Sequence, residues 1–324
     1  MKIIFSVYFI LLGWLLFFVS CNAPRNNPLD PKNSESPYVI LEGQVKDFRI
    51  IPLSNVSVYW RGGGALVKTN SGGFFKIDKI VPLDNWLVFQ KEGYLTDSVL
   101  VEWNSQKKVS VYKLLNTIPV LDTVSAFSET INHHGRDPEY RAFIRAGVID
   151  KDNDIDSVFW SIPELGIEDF LSYNVNTKFY EKDFMFSDYN LNNEAILGHD
   201  INILVQDVSG NHFLVGSTGI NRVIKKLIEF YSPANQAVVS PSPTLKWKRY
   251  EPGFHHTYTL EIYFKQDEFT PPELKWRKEN VPQTNTNYTI ESQLTSGNYF
   301  WVIWAIDEFG DRARSKPASF EVQE

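Results

Sequence analysis

From Tyr38 onward, apolar and polar residues alternate in short runs, broken about every 8–12 residues by Gly, Pro, Asn or Asp. No other feature constrains the fold as strongly. Successive side chains of a strand point to opposite faces, so each run presents one apolar face that a second sheet must cover. No amphipathic pattern of helical period extends beyond two turns. Aromatic residues make up 15% of the chain, with nine Trp and fifteen Tyr, and rings suit half-buried pleated surfaces. The predicted fold class is all-β. At 324 residues the chain exceeds one ordinary domain of about 100–150 residues, so sandwiches are expected in series.

Charge and cysteine content exclude several functions. The formal net charge of −7 disfavours nucleic acid as a partner, because phosphate binding needs a basic face. A single cysteine, Cys21, allows neither a disulfide framework nor a multi-cysteine metal site within the chain.

That cysteine closes a distinctive N-terminal stretch. Lys2 is followed by an uncharged run from Ile3 to Val19, close to the ~20 residues that span a bilayer, so an uncleaved anchor helix is one reading. Phe18-Val19-Ser20-Cys21 favours another. With small Ser20 before the cysteine, and Phe18 where the pattern prefers Leu, it resembles the bacterial lipobox. The resemblance implies a signal peptide over residues 1–20 and diacylglycerol and acyl groups on Cys21. Several acyl chains at ~0.8 kcal/mol per buried CH₂ make a stable membrane anchor. Residues 21–37 carry four prolines among Asn and Ser and cannot bury a core, so they are expected to be a disordered tether. Asn-Pro-Leu-Asp-Pro at 27–31 resembles the tether of lipoproteins from the Bacteroidetes–Ignavibacteria lineages.

Three β-sandwich modules follow. Over 38–115 the order G-x-V (Gly43–Val45), P-L-x-x-V-x-V (Pro52–Val58), T-x-S-x-G-x-F (Thr69–Phe75) and K-x-G-Y (Lys91–Tyr94) resembles the carboxypeptidase regulatory-like domain. The resemblance implies a transthyretin-like sandwich without catalytic function. Over 117–224, alternating runs at Tyr140–Val148, Ser157–Ile162 and Ile201–Gln206 resemble a bacterial immunoglobulin-like domain. Over 228–324, the run Pro243–Trp247, then Tyr258–Tyr263, Tyr299–Asp307 and Ser319–Val322, resembles a fibronectin type III domain. Asp207-Val208-Ser209-Gly210-Asn211 and Asp307-Glu308-Phe309-Gly310-Asp311 each follow an apolar strand and share the form D-x-x-G-(N/D). They are predicted to be equivalent hairpin turns, with Asp accepting backbone N–H bonds and Gly supplying the positive φ. The joints fall near 115–118 and 224–228, and each module is expected to carry its own core.

Few residues suggest chemistry. Asp150, Asp152, Asp154 and Asp156 stand at every second position, an arrangement that resembles the first half of a calcium-binding EF-hand loop. The central Gly and closing Glu of that loop are missing, so a solvated turn is the competing reading. The six histidines include the adjacent pairs 133–134 and 255–256, which on a strand point to opposite faces and make poor ligand pairs. There is no H-E-x-x-H, no G-x-S-x-G and no phosphate-cradling loop. Arg61-Gly62-Gly63-Gly64 lies between strands and reads as a hairpin connection. Trp60, Trp103, Trp276 and Tyr189 lie near turns and are the expected ligand-stacking aromatics, whereas Trp160, Trp247 and Trp301 are expected in cores. These observations together point to a non-enzymatic, lipid-anchored protein of the bacterial envelope, outer membrane favoured, that acts as an interaction or adhesion scaffold. Its expected contacts are the membrane and an envelope protein or glycan. The alternative is a surface glycan-binding lipoprotein of a polysaccharide-uptake system. A row of exposed rings on one module would favour glycan, and an open apolar face or sheet edge would favour a protein partner.

Overall fold

The computed structural model describes residues 37–192 and 194–323; Cys21, the expected signal peptide and nearly all of the expected tether lie outside them. It is a β-sandwich protein throughout. Among the described residues the helical turns are the short 3-10 segments Pro163–Leu165 and Phe186–Tyr189, and no helix is long and apolar enough to cross a membrane. The chain divides into two compact units, 1–118 and 119–324.

Unit 1 contains β1 (Val39–Asp47), β2 (Ser57–Trp60), β3 (Ala65–Lys68), β4 (Phe74–Ile80), β5 (Asn85–Gln90), β6 (Asp97–Val101) and β7 (Lys108–Leu115). They form a three-stranded sheet of order β4-β1-β7 and a four-stranded sheet of order β3-β2-β5-β6. Alternation in β1 turns Val39, Leu41 and Val45 inward, where they meet Val58, Trp60, Leu87, Phe89 and Leu115 in one core. The Trp60 indole fills the end of that core. A Cβ on Gly62 would lie 2.6 Å from it, which is why the β2–β3 connection is glycine-rich. Thr69 pins the β1–β2 crossover: its hydroxyl donates to the Leu53 carbonyl at 2.6 Å and accepts the Val56 N–H at 2.9 Å.

Unit 2 opens with β8 (Val120–Ile131), β9 (Glu139–Ile149), β10 (Ile155–Ile162), β11 (Ile167–Asn174), β12 (Phe179–Met185), β13 (Ile201–Asp207) and β14 (His212–Thr218). Their inward residues, among them Ile144, Trp160, Ile162, Ile203 and Val205, make a first core. It continues with β15 (Phe230–Ser232), β16 (Ala237–Val239), β17 (Thr244–Trp247), β18 (His256–Phe264), β19 (Glu273–Pro282), β20 (Asn287–Thr289), β21 (Gly297–Asp307), β22 (Arg312–Arg314) and β23 (Ala318–Val322). Leu245, Trp247, Tyr258, Leu260, Trp301 and Ile303 make a second core. The D-x-x-G turns are equivalent, as predicted. Asp207 Oδ1 accepts the N–H groups of Ser209 and Asn211, and Asp307 Oδ1 accepts those of Phe309 and Asp311. Gly210 and Gly310 supply φ of 82° and 92°.

The two sandwiches of unit 2 are joined by pairing the sequence does not announce. β22 runs parallel to β8, with Arg312 opposite Glu129 and Arg314 opposite Ile131, so a single sheet path runs from β14 to β19. Side chains reinforce this seam. The Ser128 N–H donates to Asp311 Oδ1 at 2.7 Å, Asn132 Nδ2 to the Arg314 carbonyl at 2.8 Å, and Arg312 to the Glu129 carboxylate at 2.7–2.8 Å. The connecting segment is equally committed. Ile220 enters the first core, Ile224 and Ile228 enter the second, and the Ser128 hydroxyl donates to the Arg222 carbonyl at 2.6 Å. Arg222 in turn pairs with Asp307 and lies 4.1 Å over the Phe254 ring. The second and third sandwiches therefore keep separate cores within one compact unit.

Candidate functional site

The structure moves the expected sites. The acidic run turns the chain from β9 into β10. The Asp150 carboxylate accepts the Asp154 N–H at 3.0 Å, as a capping aspartate does in a tight turn, and the Asp154 carbonyl accepts the Val208 N–H at 2.9 Å. Asp156 is exposed and takes a hydrogen bond from the Ser157 hydroxyl. Burial, together with the Asp150 carboxyl group and the nearby charges of Asp207 and Asp152, pushes Asp154 up to about 6. Asp150, Asp152, Asp154 and Asp156 lie in and beside this turn, and among the described residues no group of three or more His, Cys, Asp or Glu is placed to hold a metal ion.

Of the four expected stacking aromatics, two are buried and two, Trp276 and Tyr189, are partly exposed. Trp60 and Trp103 are buried and meet edge to face, 6.1 Å between centroids. Trp60 is the last inward residue of β2. Trp103 follows β6 and donates its indole N–H to the Leu83 carbonyl at 3.3 Å. Proximity to a turn did not mean exposure, because both rings close the end of the core. Trp276 is half-buried against the second core of unit 2, 5.7 Å from Tyr288. Tyr189 packs edge-on against Trp160 and Phe184, and its hydroxyl donates to Asp169. Burial and that carboxylate push the Tyr189 phenol up. Trp160, Trp247 and Trp301 are core residues, as expected.

Exposed rings occur on both units, Phe170, Tyr173, Tyr231, Phe269 and Phe309 among them on unit 2, but on unit 1 they gather on sheet faces, at residues that alternation turns outward. On the four-stranded sheet, Leu66 (63% exposed), Tyr59 (41%) and Val88 are cross-strand neighbours, and Trp86 (44%) faces Leu100 (46%) one row along. Lys68, at the end of β3, is the one charged residue that strand alternation places on this face among the described residues. The result is a contiguous apolar, aromatic sheet surface. Such surfaces on soluble domains mark sites that another molecule covers.

The three-stranded sheet has a different outer surface. Gln44 on central β1 lies opposite Phe74 on β4 and Tyr112 on β7, which are 54% and 55% exposed. One row along, Glu42 lies between Lys76 and Ser110. These six residues line an open groove of about 590 Å³. Both features were missed in the sequence. The signal available was alternation itself, since Tyr59, Trp86, Phe74 and Tyr112 each take the outward phase of their strand.

No protein-family model matches the chain, and no curated protein matches it. Among solved structures it is similar to the fibronectin(III)-like modules of Clostridium thermocellum CbhA, at 12% identity and a TM-score of 0.30, covering 63% of this chain and 93% of that one. It is also similar to the chicken CNTN1 FN1–FN3 domains, at 9% identity and 0.35, covering 83% and 91%. A third is Bacteroides ovatus mixed-linkage glucan utilization locus SGBP-B in complex with mixed-linkage heptasaccharide, at 13% and 0.22, covering 90% and 67%. At such identities and TM-scores the likeness bears on neither ligand nor chemistry.

Proposed function

We propose that this chain is a non-enzymatic, lipid-anchored protein of the bacterial cell envelope, and that it works as an interaction scaffold. The observation that carries this reading is the apolar outer patch of the four-stranded sheet, built from Leu66, Tyr59, Val88, Trp86 and Leu100. Tyr and Trp at the middle of such a patch are the residue types that dominate binding energy at protein interfaces. The partner is a protein that presents an apolar surface of its own, packed against this sheet as one sheet packs on another. The anchor is a diacylglycerol on Cys21, supported by the position of the chain's only cysteine after Ser20 at the end of the uncharged run.

Two experiments test the reading. Cys21→Ser is expected to abolish incorporation of labelled fatty acid, and persistent labelling overturns the anchor. Tyr59→Ser with Trp86→Ser is expected to remove one partner protein from the set that crosslinks to the intact chain in its native membrane. Because both residues are exposed, the variant keeps its melting temperature. An unchanged crosslinking set overturns the docking face.

A further inference from the structure

The groove on the other sheet of unit 1 has chemistry unlike that of the docking face, and we propose that it is a binding site for an extended neutral glycan. Two rings, Phe74 and Tyr112, stand one strand away on either side of Gln44. With strands about 4.8 Å apart, their backbones are separated by roughly 10 Å, about the span of a disaccharide. The floor is polar, with the Gln44 amide between the rings and the Glu42 carboxylate and Ser110 hydroxyl one row along. Alternating apolar platforms and hydrogen-bonding groups match a pyranose chain, which has C–H faces and hydroxyl edges.

The groups are held in place before any ligand arrives. Gln44 Nε2 donates to the Gly72 carbonyl at 2.8 Å. The Phe74 ring lies against Gly72, where an added Cβ would sit 3.0 Å from it, and the Phe74 N–H is fixed by Asn70 Oδ1 at 3.0 Å. The Lys46 ammonium rests 5.5 Å from the Tyr112 centroid and steadies that ring. Glu42 pairs with Lys108 at 2.6 Å and Lys76 with Asp78 at 3.4 Å, while Lys68 stands at the rim. The floor thus offers an amide, a hydroxyl and an ion-paired carboxylate, groups that match the hydroxyls of an uncharged sugar. A peptide could not add as a strand over the groove floor, because central β1 is paired with β4 and β7 along both edges.

The site is independent of the protein-docking face, so each can fail without the other. The test is affinity electrophoresis of the full chain through laminarin, mixed-linkage β-glucan, xylan and mannan, with alginate as the anionic probe and calorimetry on any polymer that retards it. At least one neutral polymer is expected to bind. Phe74→Ala and Tyr112→Ala are each expected to weaken binding by roughly three- to tenfold, and their combination by more. Phe74→Leu keeps apolar bulk without a ring and is expected to weaken binding like Phe74→Ala, while Tyr59→Ser with Trp86→Ser leaves it unchanged. The proposal is overturned if no neutral polymer retards the protein, if binding survives loss of both rings, or if alginate alone binds. Capture of a peptide by this face, lost on Phe74→Ala, overturns it equally.

Discussion

The chain has two joints that look alike in sequence and behave differently in the fold. Near 115–118, one compact unit ends and another begins. Near 224–228, the chain passes from one core to another inside a single unit. Both joints are short and lack glycine. The difference is what happens beside them. At the second, β8 and β22 add a strand-to-strand seam, and Asp311, Arg312 and Asn132 supply side-chain bonds across it. At the second joint, pairing around the connection holds two sandwiches in one unit, and the joint's own residues say little of it.

The sharpest test of this contrast is Trp60→Ala in unit 1. Emptying so large a buried site is expected to cost ~3–5 kcal/mol. In calorimetry of the full chain, only one of two transitions should fall; movement of both together would mean the units fold as one. A somewhat smaller effect is expected from cutting at the second joint. Residues 228–324 alone lose the bonds from Ser128, Asn132 and Glu129, which at about 1 kcal/mol each amounts to roughly 3 kcal/mol. That fragment is expected to melt well below 119–324 in denaturant, whereas 38–118 should fold with full stability. Equal stability of 228–324 and 119–324 would show that the seam contributes nothing.

Acid response separates the seam from the rest of unit 2. Burial, with the neighbouring Asp307 charge, pushes Asp311 up to about 6 against opposing hydrogen bonds that include the Ser128 and Arg222 backbone. Asp154 is raised similarly. An acid raised in the folded state stabilises the fold only while protonated. That contribution is complete below the ordinary value of 3.8 and is lost as pH rises through about 6. Residues 119–324 are expected to lose stability over this window. Asp311→Asn keeps an acceptor for the Ser128 N–H, removes the buried charge and should flatten the slope, as measured by denaturant midpoint against pH. A slope unchanged in the variant would assign the effect elsewhere. The smallest effect is expected from calcium. With Asp150 capping the turn, millimolar calcium or chelator should leave the melting temperature of unit 2 unmoved, and a rise with calcium would restore Asp150, Asp152, Asp154 and Asp156 as ligands.

Much of the fold was legible because strand alternation and turn chemistry are local. Trp160, Trp247 and Trp301 fall on the inward phase of their strands, and the paired D-x-x-G turns need only five residues each to specify. Nearness to a turn was a false guide to exposure for two of the four expected stacking residues. Trp60 and Trp103 lie beside turns yet plug the open end of a sandwich, where a large ring covers the most apolar surface.

What this sequence determined by itself is the all-β class, the alternation that divides each strand into a buried and an outward face, and the turns between strands, since each depends on residues a few positions apart. Tertiary structure decided which faces remain open and which joint strand pairing spans. Gln44 meets Phe74 and Tyr112, and Tyr59 meets Leu66 and Val88, only because of strand order, which local pattern leaves undetermined. The Ser128–Asp311 bond joins residues 183 apart, and closing so long a loop is repaid only when many contacts form at once, so no local signal could foretell it.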